Sequence, residues 1–158
     1  MSVSVLELPS RIDRSSWVSW ACYYAGFMIA AMRVGVDDML GDRLGLALLL
    51  ASVLVFFAAV LLLQRYMRIS LTSNTFGEPQ HLVTSGVFRW TRNPIYLAFV
   101  VPLGALGYFS PVAAAIGVTA YLVTMTVWVI SREEVVLAAR FPKQFSDYCA
   151  RTPRWLLI

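Results

Sequence analysis

Thirty-seven consecutive residues, Ile95 to Ser131, carry no charged side chain, and Arg132-Glu133-Glu134 follows at once. A helix needs about 20 apolar residues to cross a hydrocarbon core roughly 30 Å thick, so this run has room for two passes. It breaks naturally at Gly107-Tyr108-Phe109-Ser110-Pro111, where glycine and proline punctuate the chain. A hairpin returns its two ends to one side. The segment before Ile95 and the acidic pair after Ser131 therefore come to the same membrane face.

Two further uncharged runs complete the pattern: Ser15–Met32 with 18 residues and Leu44–Gln64 with 21. Four membrane helices follow, over about 15–33, 44–65, 94–109 and 111–131. Pro102, Gly104 and Gly107 mark the third as a helix open to kinking, since neighbouring groups in a membrane bundle can satisfy the backbone that proline frees. At 59% hydrophobic residues the chain is too apolar for an ordinary soluble domain. Ser15–Met32 reads as a retained span rather than a cleaved signal. It holds Trp17, Trp20, Tyr23 and Tyr24, and Arg33 follows without a small-residue cleavage pattern.

Eleven of the 13 lysines and arginines fall in the N-terminal segment, the second loop and the tail, against Arg33 and Arg43 on the other side. The positive-inside rule then makes both termini cytoplasmic. The net charge of +4 is thus mostly a topology signal, and nucleic acid is not the expected partner. Cys22 and Cys149 lie in a span and in the tail, so no disulfide is expected, and one histidine, His81, makes no metal cluster. With no internal repeat, residues 1–158 form a single domain. The fold class is an all-α polytopic membrane protein: four spans, a cytoplasmic loop, and a C-terminal amphipathic helix.

From Gln64 to Asn93 runs a connection of about 30 residues, beyond the roughly 12–15 at which loops are usually functional or disordered. Leu82, Val83, Val87, Phe88 and Trp90 make it apolar enough to pack over the mouth of the bundle. Gly86 suits a tight turn or a close approach to a ligand. Asn93 is a good N-cap and Pro94 a good first helical residue, so the third span starts there with free N–H groups toward the cytoplasm. Arg92 beside that terminus reinforces an anion site, and Tyr96 sits in the first turn with its hydroxyl at the polar boundary. Taken singly, each is equally readable as an interfacial anchor or a member of an aromatic belt.

Glu133 and Glu134 lie on a helix that continues through Ser131–Arg140, good helical sequence. Adjacent residues point about 100° apart on a helix of 3.6 residues per turn, so one of the two is expected to face a pocket and the other solvent or a tail arginine. Phe141–Tyr148 and Pro153-Arg154-Trp155 form an amphipathic tail that suits the membrane surface first and closure over the loop second.

In this order, these pieces resemble the integral-membrane methyltransferases typified by isoprenylcysteine carboxyl methyltransferase, whose signature phospholipid N-methyltransferases share. The resemblance runs over about residues 80–155, through Leu82–Gly86, Arg92-Asn93-Pro94-Ile95-Tyr96, the apolar hairpin, Glu133-Glu134, and the Phe141–Tyr148 and Pro153-Arg154 tail. It implies S-adenosylmethionine as methyl donor, bound at the cytoplasmic face. By position, Leu82 and Val83 would contact the adenosine part. Asn93 and Tyr96 would hold the amino-acid end, with Glu134 and Glu133 accepting from hydroxyl or ammonium groups. Arg92 would steady an anion of donor or acceptor. Gly86, Pro94 and His81 complete the expected cofactor set, with Arg92 and Tyr96 as the catalytic pair. Asn93 stands where the isoprenylcysteine enzymes carry histidine, Phe88 where tyrosine is usual, Ala98 where glycine often follows, and Pro142 where glycine precedes the tail helix.

Methyl transfer from a sulfonium is a direct displacement that mainly needs alignment. A carboxylate acceptor requires no general base, whereas an amine must lose a proton to His81 or a glutamate. With a single histidine in the chain, the expectation tilts to a carboxylate or thiol on a lipophilic molecule entering from the bilayer. A lipid amine is the alternative, followed by a non-enzymatic membrane component and a nicotinamide-dependent reductase. Size and compactness point to a bacterial inner membrane.

Overall fold

In a computed structural model, residues 9–70 and 81–156 are described, and within them every regular element is helical. Residues 71–80 of the long connection, including the start of the signature region, lie outside them, while its first residues, 64–70, continue a helix.

Helix α1 (Pro9–Val34) leads through Gly35, at φ +92°, into a short α2 (Val36–Gly41) and then α3 (Arg43–Ser70). Asp42 starts α3 by accepting from the backbone N–H groups of Leu44 and Gly45, at 3.1 and 3.0 Å. Its carboxyl is held below the ordinary range by those bonds, the one from Gly45 first. This acidic loop thus caps a helix, a role the charge count did not assign.

The third apolar stretch, Pro94–Tyr108, is broken into α4 (Pro94–Ala98), α5 (Val100–Ala105) and a 3-10 turn (Leu106–Tyr108). The interruption falls at Phe99, earlier than the proline itself. Pro102 has no N–H to offer the carbonyl four residues back, at Ala98, and its ring crowds that turn. Hydroxyls take up carbonyls on either side of the break: Tyr121 donates to the Tyr96 carbonyl at 3.0 Å, and Tyr23 donates to that of Phe99.

Ser110 caps α6 (Pro111–Thr124), its Oγ accepting from the Ala113 N–H at 3.3 Å. The helix runs on through a π segment, Met125–Ile130, into α7 (Ser131–Arg140). Phe141 and Pro142 then turn the chain into α8 (Pro142–Arg151).

Arg43–Leu63 and Pro111–Arg140 are long and apolar enough to cross a membrane. α1 packs along α6, and α3 along α4 and α5. The α1–α6 crossing is close because Gly26 and Gly117 face each other. A Cβ on Gly117 would come 3.6 Å from the Gly26 Cα and 3.3 Å from Leu103. Small residues at such crossings let backbones approach and gain dispersion contact. Beside them, Cys22, Leu103, Leu106, Tyr121, Met125 and Ile130 form the main buried cluster.

Candidate active site

A second cluster at one end of the bundle positions the polar residues. Phe88, on a 3-10 turn (Gly86–Arg89), packs with Phe145 and Tyr148 of α8, and Leu82 and Val83 lie against them. Gly86 opens that turn at φ +60°, where a side chain would be strained. The Tyr148 hydroxyl donates to the Phe88 carbonyl at 2.7 Å, fixing α8 over the turn. Burial pushes the Tyr148 phenol up to about 12. The tail helix therefore spends its apolar face on the loop. Phe145 and Tyr148 are buried here, so these contacts are those of closure over the loop, the second role expected of the tail.

Beneath this lid lies a cavity of about 270 Å3. Its walls are Phe88, Phe145, Tyr148, Ile130, Leu137 and Ile95, and its polar groups are Arg92, Asn93, Tyr96, Glu133 and Glu134, with Pro94 at the helix start. Both carboxylates border it, and Glu134 at the same time meets a tail arginine, Arg154, as expected of one of the two. Tyr96 donates from its hydroxyl to Glu133 Oε1 at 2.6 Å. Glu134 Oε1 forms an ion pair with Arg92 Nη1 and accepts from Arg154 Nε, each at 3.1 Å, and Oε2 accepts from Arg154 Nη2. These bonds raise the Arg154 guanidinium pKa.

The strap, Thr152–Trp155, is stitched to the loop by its backbone. The Pro153 carbonyl accepts from the Arg92 N–H, and the Arg154 carbonyl from Thr91 Oγ1 and Asn93 Nδ2, all at 3.0 Å. Trp155 Nε1 donates to Thr126 Oγ1, in the π segment, at 3.0 Å. Asn93 does precede the first helical residue, but its side chain makes no cap bond. The amide serves the strap instead, while Thr91 Oγ1 accepts the Asn93 N–H. Arg92 also donates to the Cys149 sulfur, and its buried Nε has no hydrogen-bond partner among the described residues.

Of the residues singled out in the sequence, Arg92, Asn93, Pro94, Tyr96, Glu133 and Glu134 meet at this cavity. Leu82 and Val83 pack against the Phe88 cluster without lining it, and His81 is exposed outside it. Gly86 borders a broader, open depression of about 610 Å3 with Val87, Arg89 and Trp90. That depression offers one cation and no carboxylate, so the chemistry-bearing groups sit at the smaller cavity. Sequence reasoning missed Thr91 and the lining role of Ile130, Phe145 and Tyr148. The three-residue spacing of Phe145 and Tyr148, one face of a helix, was the available signal. Among the described residues no three His, Cys, Asp or Glu side chains gather as a metal site, and Cys22 and Cys149 are both free.

An apolar helical chain with paired guanidinium and carboxylate groups at one end of its bundle has the form of a membrane enzyme with a polar end pocket. Residues 44–144 match the phospholipid methyltransferase family, and the chain belongs to it. No curated protein and no solved structure matches it. The match takes in α3 from Leu44 on, the polar groups of the cavity and the acidic pair, beginning well before the signature segment and ending before Phe145, Tyr148 and the strap.

Proposed function

We propose that the chain is an S-adenosylmethionine-dependent methyltransferase acting on a lipid whose headgroup carries an amine. Four spans would place both termini and the cavity on the cytoplasmic side. The observation that supports the reading is the convergence of Arg92, Asn93, Tyr96, Glu133 and Glu134 on one cavity within the family-matched region.

Small-molecule pockets are typically about 300–1,000 Å3, so a donor seated here fills the cavity and extends past its mouth. Leu82 and Val83 pack against Phe88, Phe145 and Tyr148 of the cavity wall. Leu82 and Val83 would then back the adenosine part, with His81 and Gly86 at its outer edge. Asn93 and Tyr96 would hold the amino-acid end and Arg92 its carboxylate. The acceptor's lone pair bonds to the methyl carbon as the carbon–sulfur bond breaks. Its electron pair stays on sulfur, leaving S-adenosylhomocysteine. An amine must first give up its proton, and Glu133 is a carboxylate at the cavity that water can reach. The tilt toward a carboxylate or thiol rested on the single histidine; Glu133 at the cavity is the glutamate that could serve an amine instead. A carboxylate acceptor is the second reading, favoured by the unpartnered Nε of Arg92.

Solubilised protein supplied with labelled donor and with lipids bearing primary amines, carboxylates or thiols tests this. A methylated amine lipid is the expected product. Label on the carboxylate lipid alone would move the acceptor to the second reading, and no labelled product with any acceptor would refute the activity.

A further inference from the structure

The 3-10 turn Gly86–Arg89 has two faces, and the cavity uses one of them. Inward, Phe88 is a buried wall of the cavity, and its carbonyl is held by the Tyr148 hydroxyl. Just past the turn the chain is tied down again, from Thr91 Oγ1 and the Arg92 N–H to the Arg154 and Pro153 carbonyls. Outward, Val87, Arg89 and Trp90 border the open depression of about 610 Å3 with Gly86. Side chains three apart eclipse on a 3-10 helix, so Val87 and Trp90 lie on one ridge beside Arg89. The outer face is thus presented on a platform fixed from within.

That face is open. Trp90 is 72% exposed and Val87 45%. Among the described residues no carboxylate pairs with the exposed Arg89 guanidinium. An apolar ridge edged by a cation, at the polar end of a membrane bundle, has the composition of a headgroup-level surface. The indole suits the boundary between headgroup and acyl chain, and a guanidinium fork matches the oxygens of a phosphate.

The methyl donor gives this cation nothing to meet. Its adenosine part is neutral, its sulfonium is positive, and its carboxylate is the group that Arg92 would hold in the cavity. The acceptor differs, because a phospholipid with an amine headgroup carries an anionic phosphodiester close to its nitrogen. We propose that Arg89, with Trp90 and Val87, seats the phosphodiester of the acceptor phospholipid on the outer face of the turn, while its amine reaches past Phe88 to the cavity. This deepens the amine-lipid reading and rests on it. Arg89 is then a specificity-determining residue that selects phospholipids over amine lipids without phosphate.

The test measures KM and kcat for two acceptors in mixed micelles at saturating donor. One is a diacyl phospholipid with a primary-amine headgroup. The other is a matched diacyl lipid whose amine is joined through an ether, with no phosphate. Loss of one charge-assisted contact corresponds to roughly tenfold in affinity. Arg89→Gln is therefore expected to raise KM for the phospholipid about tenfold relative to the ether lipid, with kcat held. Arg89→Lys keeps the charge without the fork and should recover part of that loss. Both variants should bind S-adenosylhomocysteine as wild type does. An unchanged ratio of the two KM values overturns the seat, since a general surface anchor would act on both lipids alike. A matching fall in S-adenosylhomocysteine affinity would assign the depression to the donor and overturns it too.

A second arm needs no turnover and uses a phospholipid of the same headgroup with a photoreactive group beside its phosphate. The expected label falls within residues 86–90, is competed by the phospholipid and not by the ether lipid, and is lost in Arg89→Gln. Absence of that label overturns the seat whether or not methyl transfer occurs. If the label is found and neither lipid is methylated, the activity reading has failed and the phosphate seat stands.

Discussion

Below Ile130 the helices meet through Leu103, Leu106, Tyr121 and Met125, and through two glycines that let α1 and α6 touch. Above it, the elements meet through hydrogen bonds and ion pairs between residues far apart in the chain. Arg92 reaches Glu134 and Cys149, Asn93 reaches Arg154, and Tyr148 reaches Phe88. The first kind of contact tolerates any apolar side chain of similar shape. The second fails when one donor or acceptor is removed, because its partner is left unsatisfied. The bundle is therefore a scaffold with interchangeable parts, and the mouth is a set of specific pairs.

Substitutions that damage one region and spare the other sharpen this contrast. Leu103→Ala, at a fully buried core position, should have the largest effect on stability, about 3 kcal/mol from lost packing and an unfilled cavity. Thermal unfolding in detergent would register it, and the surviving folded fraction should bind S-adenosylhomocysteine as wild type does. Altered affinity in that fraction would break the separation of scaffold from mouth. Arg92→Ala should do the reverse, lowering that affinity on the order of 100-fold while shifting the midpoint of unfolding far less than Leu103→Ala.

Tyr148→Phe leaves the Phe88 carbonyl without its donor and should cost about 1–2 kcal/mol, seen as faster hydrogen exchange over residues 86–89. The pH dependence of this bond has a definite sign. With the phenol raised from 10.0 to about 12, its contribution is complete below the unfolded value and is lost as pH climbs through the folded one. Exchange at 86–89 corrected for intrinsic rate should thus be flat from pH 6 to 9. The smallest effect belongs to Trp155→Phe, which removes one bond to Thr126 and should loosen the strap by about 1 kcal/mol.

Helix positions in the bundle were legible because uncharged length maps directly onto spans. The expected 44–65 and 111–131 lie inside α3 and the continuous helix from Pro111 to Arg140. Less legible was the break at Phe99, since a proline's effect falls on the turn before it. Six of the residues drawn from the motifs meet at the cavity because a hairpin forces Arg92–Tyr96 and Glu133-Glu134 to one end. What could not be read was pairing. Nothing local in Asn93 says that its amide prefers the Arg154 carbonyl to its own helix, and nothing in Glu134 names Arg154 across 20 positions. Such choices depend on where the strap lands, which is set by α8 packing through Phe145 and Tyr148.

The most direct measurement of the central claim is photo-crosslinking of labelled S-adenosylmethionine to the solubilised protein, with the labelled peptide mapped. Label within residues 81–96 or 130–148, competed away by S-adenosylhomocysteine, is the predicted result. Competable label confined to α1 or α3 would contradict it.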